Sequence, residues 1–356
     1  MPAETDIGPP DFRTLIPEVV KRNYGTWKYH EQIKPGVLMH VGESGEAIYT
    51  VRCGSPKLVS TDFIRDLCEI ADKYCDGHMR FTSRYNPEFL TEKKENIEPI
   101  IAAVQKLGLP VGGTGRGISN MVHTQGWIHC HGAATDASGL VKAIMDEMYP
   151  YFVGEKTLPN KLKLSLACCI NMCGAIHATD LAVVGVHTRI PGVDDEKLSA
   201  LCEIPTTLAS CPTGAIRRHP DKDVKSVVVN PDKCMYCGNC FTVCPAMPIA
   251  NPEGDGVAIY VGGKTADARS MPKFSRLAVP FIPNNPPRWP EVTDTLKMIV
   301  ETYAADARPL ERVGEWIDRI GWEKFFSMTG LPFTEYHIDD FRFARTTFRA
   351  STQFKW

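Results

Sequence analysis

Apolar and polar residues alternate in short runs near the start of the chain and then follow helical spacing. The order of these runs is strand, strand, helix, strand, helix, with a polar turn, Gly42–Glu46, between the first two strands. The runs are strands at Val37–Val41, Ala47–Val51 and His78–Ser83, and helices at Asp62–Tyr74, capped by Ser60 or Thr61, and Glu92–Leu107. This order predicts a ferredoxin-like α+β sandwich over residues 37–119.

The middle of the chain mixes strand and helix patterns, which favours an α/β domain. The predicted elements are strands at Lys161–Ala167 and Leu181–Val186 and helices at Ala137–Met148, Pro290–Ala304 and Leu310–Met328. Residues 270–290 are rich in proline and are predicted to be extended. We expect this domain to comprise residues 120–202 and 254–335, with a small module at residues 203–253 inserted into it.

Both ends of the chain are predicted to be arms. In residues 1–36 the pattern supports one short amphipathic helix, Asp11–Asn23, and the rest is expected to lie over a partner. The tail, Phe341–Trp356, interleaves arginine and lysine with aromatic residues, the types that anchor interfaces. Residues 336–356 are therefore predicted to contact a partner subunit.

Composition places the chain in a reducing compartment. It has 356 residues, 13 cysteines and a formal net charge of −2. The start does not resemble a secretory leader, and no apolar run reaches the roughly 20 residues of a membrane span. We expect a cytoplasmic protein with no membrane span, and the mixed charge gives no reason to predict nucleic-acid binding.

The most informative motif is Cys234-x2-Cys237-x2-Cys240-x3-Cys244-Pro, a spacing that holds iron–sulfur clusters. In such a run the fourth cysteine points to a second cluster, and the first cluster takes its last ligand from a distant Cys-Pro. Cys211-Pro212 supplies that partner. The predicted ligands of one [4Fe–4S] cluster are Cys211, Cys234, Cys237 and Cys240, and the alternatives are a zinc ribbon or a disulfide knot.

A second cluster in this module is not expected. It would require cysteines at Leu201, Ile204 and Thr207, and none of these residues is a cysteine. Cys244 is therefore predicted to be a spare.

A second group of cysteines follows the predicted strand Lys161–Ala167. Cys168, Cys169 and Cys173, together with the upstream Cys130, make four thiolates, which is the usual number for a cubane. The alternatives are that the adjacent pair is simply buried at a strand end, or that it acts as a redox dithiol. The remaining cysteines are interpreted as core residues: Cys53, Cys68, Cys75 and Cys202.

With these two cysteine groups, the chain resembles the sirohaem sulfite and nitrite reductases, most narrowly the beta subunits of dissimilatory sulfite reductases. The resemblance covers most of the chain, including Val122–His131 and the ferredoxin module inserted after Ala209. It implies an α+β fold in which a sirohaem/[4Fe–4S] α/β domain follows the ferredoxin-like sandwich. It also implies two [4Fe–4S] clusters and sirohaem, with Cys173 bridging cubane and haem iron.

The implied activity is the six-electron interconversion of sulfite and sulfide-level sulfur. The implied partners are a homologous alpha subunit in an alpha2beta2 assembly, a small sulfur-carrier protein and an electron donor. Within the family, the same ligands also suit nitrite or the reverse, sulfur-oxidising direction. A haem-free iron–sulfur subunit for electron transfer is an alternative from another class.

Sulfite and the eight carboxylates of sirohaem call for a basic site. The candidates that contact substrate are Arg80, Arg84, Lys161 and Lys163, and the two lysines are expected to share one side of their strand unless they simply face solvent. The glycine loop Gly112–Gly117 lacks a dinucleotide-binding register and is expected to meet haem carboxylates instead. The candidates for cofactor binding, besides Cys173, are Thr114, Gly115, Arg116, Asn120 and His123.

One position departs from the family pattern. An Arg-Asn pair usually follows Thr-Gly, whereas this chain has Ser119-Asn120 after Thr114-Gly115. The resemblance therefore implies that the alpha subunit supplies the sulfite-binding arginines to the productive haem. The basic residues of this chain would then line a sister haem site, weakened by Ser119.

Overall fold

The computed structural model describes residues 10–267 and 270–338. Its strands are β1 (Trp27–Lys34), β2 (Val37–Gly42), β3 (Ala47–Arg52), β4 (Met79–Phe81), β5 (Pro87–Thr91), β6 (Val122–His123), β7 (Leu164–Ala167), β8 (Leu181–Val186), β9 (Ile216–Arg218), β10 (Val227–Val229), β11 (Gly256–Val261) and β12 (Arg276–Pro283). Its α-helices are α1 (Glu18–Arg22), α2 (Thr61–Tyr74), α3 (Ile97–Lys106), α4 (Ala137–Glu147), α5 (Tyr149–Val153), α6 (Asp195–Leu201), α7 (Ile204–Ala209), α8 (Asn239–Val243), α9 (Pro290–Asp306), α10 (Val313–Ile320) and α11 (Trp322–Thr329).

The described chain divides into two compact units. Unit 1 comprises residues 10–120 and 148–161, and unit 2 comprises residues 121–147, 162–267 and 270–338. The predicted domains instead placed residues 148–161 with the second domain. Within the described ranges, no helix is both long and apolar enough to cross a membrane.

Unit 1 is built on an antiparallel sheet in the order β1-β2-β3-β5-β4. Helix α2 begins where the Ser60 side chain accepts a hydrogen bond from the backbone N–H of Phe63. Leu67, Ile70 and Ala71 lie on one face of α2, and they pack with residues of the sheet and α3 into one core. The predicted hairpin is therefore confirmed as β2 and β3, and the helix predicted over Asp62–Tyr74 is confirmed as α2.

The predictions for unit 1 were wrong in four details. The N-terminal arm contains strand β1, whose residues are largely exposed at the sheet edge, and the single helix predicted over Asp11–Asn23 is a 3-10 turn followed by the short α1. The strand predicted over His78–Ser83 is only β4. Strand β5 was missed because its Pro87 and Glu88 are atypical of a buried strand, although both are buried here.

Unit 2 contains a mixed sheet in the order β12-β11-β8-β7-β6, in which β6, β7 and β8 are parallel. The predicted strand Leu181–Val186 is confirmed as β8, whereas the segment predicted to be extended contains β12 and is antiparallel to the unpredicted β11. The single helix predicted over Leu310–Met328 is two helices, because Gly321, with a φ of 86°, separates α10 from α11.

The cysteine-rich module of unit 2 has a small core of its own. Helices α6, α7 and α8 and the β9–β10 ribbon surround it, and its buried residues include Leu198, Ile216 and Met247. The predicted tail, Phe341–Trp356, lies outside the described residues.

Candidate functional site

The first cysteine group surrounds one cavity. Cys211, Cys234, Cys237 and Cys240 all line it, beside the apolar side chains of the module. The loop that carries three of them turns sharply because Tyr236 and Gly238 have φ values of 58° and 72°. Since φ in this range is rarely adopted by a residue with a side chain, the backbone at these two positions is shaped by the tight turn around the cavity.

Hydrogen bonds to sulfur support this arrangement. The backbone N–H of Ala215 donates to Cys211 Sγ at 3.1 Å. Burial alone would raise the pKa of Cys211, but hydrogen bonds from Thr213 and from the backbone of Ile216 and Ala215 bring it below its ordinary value. Burial raises the pKa of Cys240 to about 12. Such a thiol becomes a thiolate when a metal takes the place of its proton.

The structure pairs two further cysteines of the module. Cys202 is a core residue, as predicted, and it forms a disulfide with Cys244, which was predicted to be a spare. The two meet because Cys202 follows α6 and Cys244 follows α8, and both helices pack into the core of the module. Cys53 and Cys75 are buried as predicted, whereas Cys68 is exposed on α2.

The second cysteine group is assembled from distant loops. Cys168 and Cys169 follow directly after β7, and the backbone N–H of Cys168 donates to Thr124 Oγ1 at 2.8 Å. The carbonyl of Cys168 accepts from the backbone N–H of Ala134 at 2.8 Å, which brings the loop after Cys130 against the strand end. Contacts far apart in sequence therefore place these cysteines.

A buried polar network holds the Cys130 loop in place. His187, at the end of β8, shares a hydrogen bond between its Nε2 and the carbonyl of Gly132 at 3.1 Å. Its Nδ1 lies 2.8 Å from Asp255 Oδ2, and both side chains are almost completely buried. Asp255 also accepts from the backbone N–H groups of Thr188 and Asn251. A fully satisfied buried network of this kind fixes its loop.

The thiols of the second group interact with one another. Hydrogen bonds, first with Cys169 and also with Thr124 and Cys130, lower the pKa of Cys168 to about 5 although burial opposes this. The same contact with Cys168 raises the pKa of Cys169. Cys173 is close enough to contribute to the raised pKa of Cys130, after burial and Cys168, and it is the one exposed thiol of the four. Hydrogen bonds thus bring Cys130, Cys168 and Cys169 of the predicted group together, with Cys173 in the loop that follows.

In residues 10–267 and 270–338, no group of three or more His, Cys, Asp or Glu side chains is placed to hold a single metal ion. The ligands of a cubane do not converge in that way, because each thiolate binds a different iron corner of the cluster.

Unit 1 has a buried charge cluster that sequence reasoning missed in part. Glu88, with a fully buried side chain, pairs with Arg52 at 2.6 Å and with Arg80 at 2.5 Å. Arg52 also donates from Nη1 to the carbonyl of Gly113 at 2.6 Å. Arg84, a predicted substrate residue, donates to the carbonyl of Asn120 at 3.1 Å. Arg52 is the last residue of β3, in which buried and less buried residues alternate. A charged residue at the end of such a strand is the sequence signal that could have pointed to this cluster.

Beside this cluster lies a buried amide with unused hydrogen-bonding capacity. Asn86 is fully buried, and neither its Oδ1 nor its Nδ2 has a partner among the described residues. A Cβ added to Gly113 would lie 2.8 Å from the Phe152 ring and 3.4 Å from Asn86 Nδ2. An orphaned amide next to a crowded glycine loop and several arginines fits a large polyanionic group such as sirohaem.

The predicted cofactor residues are partly used by the fold itself. Thr114 Oγ1 accepts from the backbone N–H of Gly36, and Asn120 Nδ2 donates to the carbonyl of Ser55 at 2.7 Å. Gly115 has a φ of 68°, and a Cβ there would collide with Gln32. Arg116 is exposed in this loop, and His123 is buried in unit 2 with its Nδ1 3.2 Å from the carbonyl of Met121.

The two predicted lysines do not share a strand. Strand β7 begins at Leu164, so both lysines precede it, and Lys161 belongs to unit 1 whereas Lys163 belongs to unit 2. The backbone N–H of Lys163 donates to Asp180 Oδ2 at 2.8 Å, and Asp180 in turn pairs with Arg312. The strand therefore starts later than predicted, although Leu162 between the two lysines is buried.

Family models match both parts of the chain. Residues 40–107 match the nitrite/sulfite reductase ferredoxin-like half domain, and residues 114–335 match the nitrite and sulphite reductase 4Fe-4S domain. The second match supports iron–sulfur cluster binding. The crystal structure of dissimilatory sulfite reductase I superposes with a TM-score of 0.79 at 21% identity, covering 88% of this chain and 79% of that one. This likeness confirms the predicted α+β fold.

Curated relatives match at full length. The dissimilatory-type sulfite reductase subunit beta of Archaeoglobus fulgidus is 54% identical, over 99% of this chain and 98% of its own. The corresponding beta subunit of Nitratidesulfovibrio vulgaris is 53% identical, over 99% and 95%. The alpha subunit of Allochromatium vinosum is 25% identical, over 81% and 70%. These matches favour a reductase subunit over a haem-free electron carrier, and the chain belongs to the oxidoreductase family of dissimilatory-type sulfite reductase beta subunits.

Proposed function

We propose that this chain works as the beta subunit of a sulfite reductase, in which two [4Fe–4S] clusters and sirohaem serve the six-electron interconversion of sulfite and sulfide-level sulfur. The observation that carries the proposal is the presence of two four-cysteine groups in one compact unit. A one-electron relay suits this reaction because the electrons must be delivered singly.

Cys211, Cys234, Cys237 and Cys240 would hold the first cluster. Their arrangement around one cavity, with a backbone N–H donated to Cys211 Sγ, supports this assignment over a zinc ribbon. Zinc would draw four thiolates to about 2.3 Å from a single centre. A cubane supplies reversible one-electron transfer, and N–H···S bonds set its potential.

Cys130, Cys168, Cys169 and Cys173 would hold the second cluster. Thr124 and Ala134 fix the strand-end pair, and His187 with Asp255 fixes the loop of Cys130. Cys173, as the exposed thiol of this group, is the candidate for the ligand shared with haem iron. Bound sirohaem would supply the redox-active iron at which sulfur–oxygen bonds break.

The basic residues of unit 1 would bind anionic carboxylates and substrate. Asn86 would use its unpaired amide, and Arg84, Arg116 and Lys161 would contribute positive charge and help to move protons. Glu88 neutralises part of the charge of Arg52 and Arg80. Glu88 lowers the positive charge of this region, and position 119 carries serine where the family usually has arginine. Both features support a sister haem site in this chain, with the productive site completed by arginines of the alpha subunit.

The assembly we propose is an alpha2beta2 complex in the cytoplasm, with a small sulfur-carrier protein and an electron donor as further partners. The similarity of this chain to alpha subunits supports a complex of homologous halves. The predicted arm at residues 336–356 would contribute contacts to this complex.

The test is the visible spectrum and the extracted tetrapyrrole of the alpha–beta complex, purified anaerobically. Sirohaem with sulfite turnover is the expected result. Iron and acid-labile sulfide without tetrapyrrole would indicate that the chain is a haem-free electron-transfer subunit. In the same complex, replacing Lys161 and Lys163 by Met should leave substantial turnover, and complete loss with normal haem content would contradict the sister-site assignment.

A further inference from the structure

One side chain connects the two cysteine groups. Asn171 lies in the loop between Cys169 and Cys173, and its Nδ2 donates to Cys169 Sγ at 3.5 Å. The same nitrogen donates to the backbone carbonyl of Cys237 at 2.9 Å. All these residues belong to unit 2. A single amide therefore contacts a thiol of the second group and the main chain of the first.

The chemistry of the partners fixes the orientation of this amide. A cysteine sulfur bound to iron and a backbone carbonyl are both acceptors, so only the NH2 end of the side chain can serve both. The two N–H bonds of that group point in different directions, which allows one hydrogen bond to each partner. No other orientation of the amide satisfies both contacts.

The backbone on both sides holds this geometry. Met172, next to Asn171, has a φ of 50°, and its N–H donates to the carbonyl of Cys169 at 3.1 Å. Cys237 lies between Tyr236 and Gly238, which both have positive φ. Non-glycine residues in this region cost free energy and persist where the surroundings over-determine them. Two such residues flank the bridge, one in each loop.

We propose that Asn171 is a positioning residue that fixes the spacing of the two cluster sites and tunes the potential of the cluster bound by Cys169. The proposal rests on the proposed function, because it requires both clusters. An N–H donated to a ligand sulfur withdraws negative charge and favours the reduced cluster. The bridge from Cys169 through Asn171 to Cys237 is also a short hydrogen-bonded connection between the two sites.

The experiment compares wild-type alpha–beta complex with Asn171→Ala and Asn171→Asp. Asp has the shape of Asn but lacks the N–H donors and adds negative charge. Asn285→Ala is the matched control, because it removes an amide that pairs with Glu291 instead of a cysteine site. The readouts are the midpoint potential of each cluster by EPR-monitored titration and the rate of electron transfer between the clusters.

The expected result is a lower potential for the second cluster in Asn171→Ala and a still lower one in Asn171→Asp. Transfer between the clusters should slow by about tenfold, the lower end of the effect of losing an outer partner of a metal site. If the Ala variant loses its second cluster, the potential and the transfer rate are measured in the isosteric Asp variant, which also lacks the N–H donors.

Two cubane signals that keep wild-type potentials and rates in both variants would overturn the inference and leave the proposed function standing. Wild-type complex without a second cubane signal from this chain would overturn both.

Discussion

The two cysteine sites of unit 2 are built in opposite ways. The first takes three cysteines from one loop and a fourth, Cys211, from an earlier segment, inside a module with its own small core. The second takes its cysteines from loops at the ends of parallel strands, held by Thr124, His187 and Asp255. A local motif thus needs only its module, whereas the second site depends on the whole of unit 2.

The largest effect should come from Gly185→Ala in β8. The added Cβ would lie 2.1 Å from the carbonyl oxygen of Cys168 and 3.1 Å from the backbone nitrogen of Cys169, so the strand-end pair must shift. We expect loss of the second cluster with retention of the first, measured as iron and acid-labile sulfide per complex. Gly192→Ala, whose Cβ would make ordinary contact with Pro248, is the control and should bind both clusters.

Replacing Cys202 and Cys244 by Ser should weaken the first site more than the second. The disulfide closes a loop of 42 residues, and the chain-entropy model gives it about 4 kcal/mol. Hydrogen exchange should show opening over residues 198–250 that is easier by an amount approaching this value, with strands β7 and β8 unchanged. Cys68→Ser, at an exposed free thiol, is the control. Equal protection in the double variant would show that the bridge does not stabilise the module.

Thr124→Val tests the support of the second site with a smaller change. The substitution keeps the shape of the side chain but leaves the backbone N–H of Cys168 without its acceptor. We expect a cost of about 1–3 kcal/mol, seen as faster hydrogen exchange after β7 and easier iron loss from the second site. Thr124→Ser retains the hydroxyl and should behave like wild type. Similar behaviour of the Val and Ser variants would show that this hydrogen bond does not stabilise the second site.

The smallest expected effect is a pH dependence from Asp255. Burial alone would raise the pKa of this carboxyl, but hydrogen bonds from His187, Asn251 and Thr188 bring it below its ordinary value. A folded-state pKa below the unfolded value gives stability that is present above the unfolded pKa and is lost as pH falls through the folded pKa.

In Asp255→Asn, the free energy of unfolding of unit 2 should therefore depend less on pH below about pH 4. The same substitution should lower that free energy at neutral pH. Acid unfolding followed by circular dichroism, with the exposed Asp318→Asn as a control, measures this. An unchanged acid transition in Asp255→Asn would show that other carboxyls control it.

The sequence predicted local features well and long-range features in part. The hairpin of β2 and β3, helix α2 and strand β8 follow from residue periodicity, and Cys211 with the Cys234–Cys240 run follows from motif spacing. Strand β5 carries a buried glutamate, whose partners Arg52 and Arg80 come from other strands, so periodicity could not reveal it. Contacts between strands therefore stabilise β5, and the local sequence does not indicate it.

The same limit applies to the candidate site. The Cys202–Cys244 disulfide and the contacts of Asn171 join residues of different loops, and no spacing rule predicts them. The lysines at 161 and 163 were placed on one strand because alternation was read beyond the true start of β7. The cysteine group at 130 and 168–173 came from the family resemblance and cysteine number, and the network that holds it required the structure.

Paired cysteine variants would show whether this chain holds two separate cubanes. Cys240→Ser and Cys168→Ser would each be introduced into the alpha–beta complex, and iron and acid-labile sulfide would be counted against wild type. Each single variant should lose about four irons, and the double variant should lose about eight. Full iron content in either single variant, or loss of only four irons in the double variant, would contradict the presence of two cubanes.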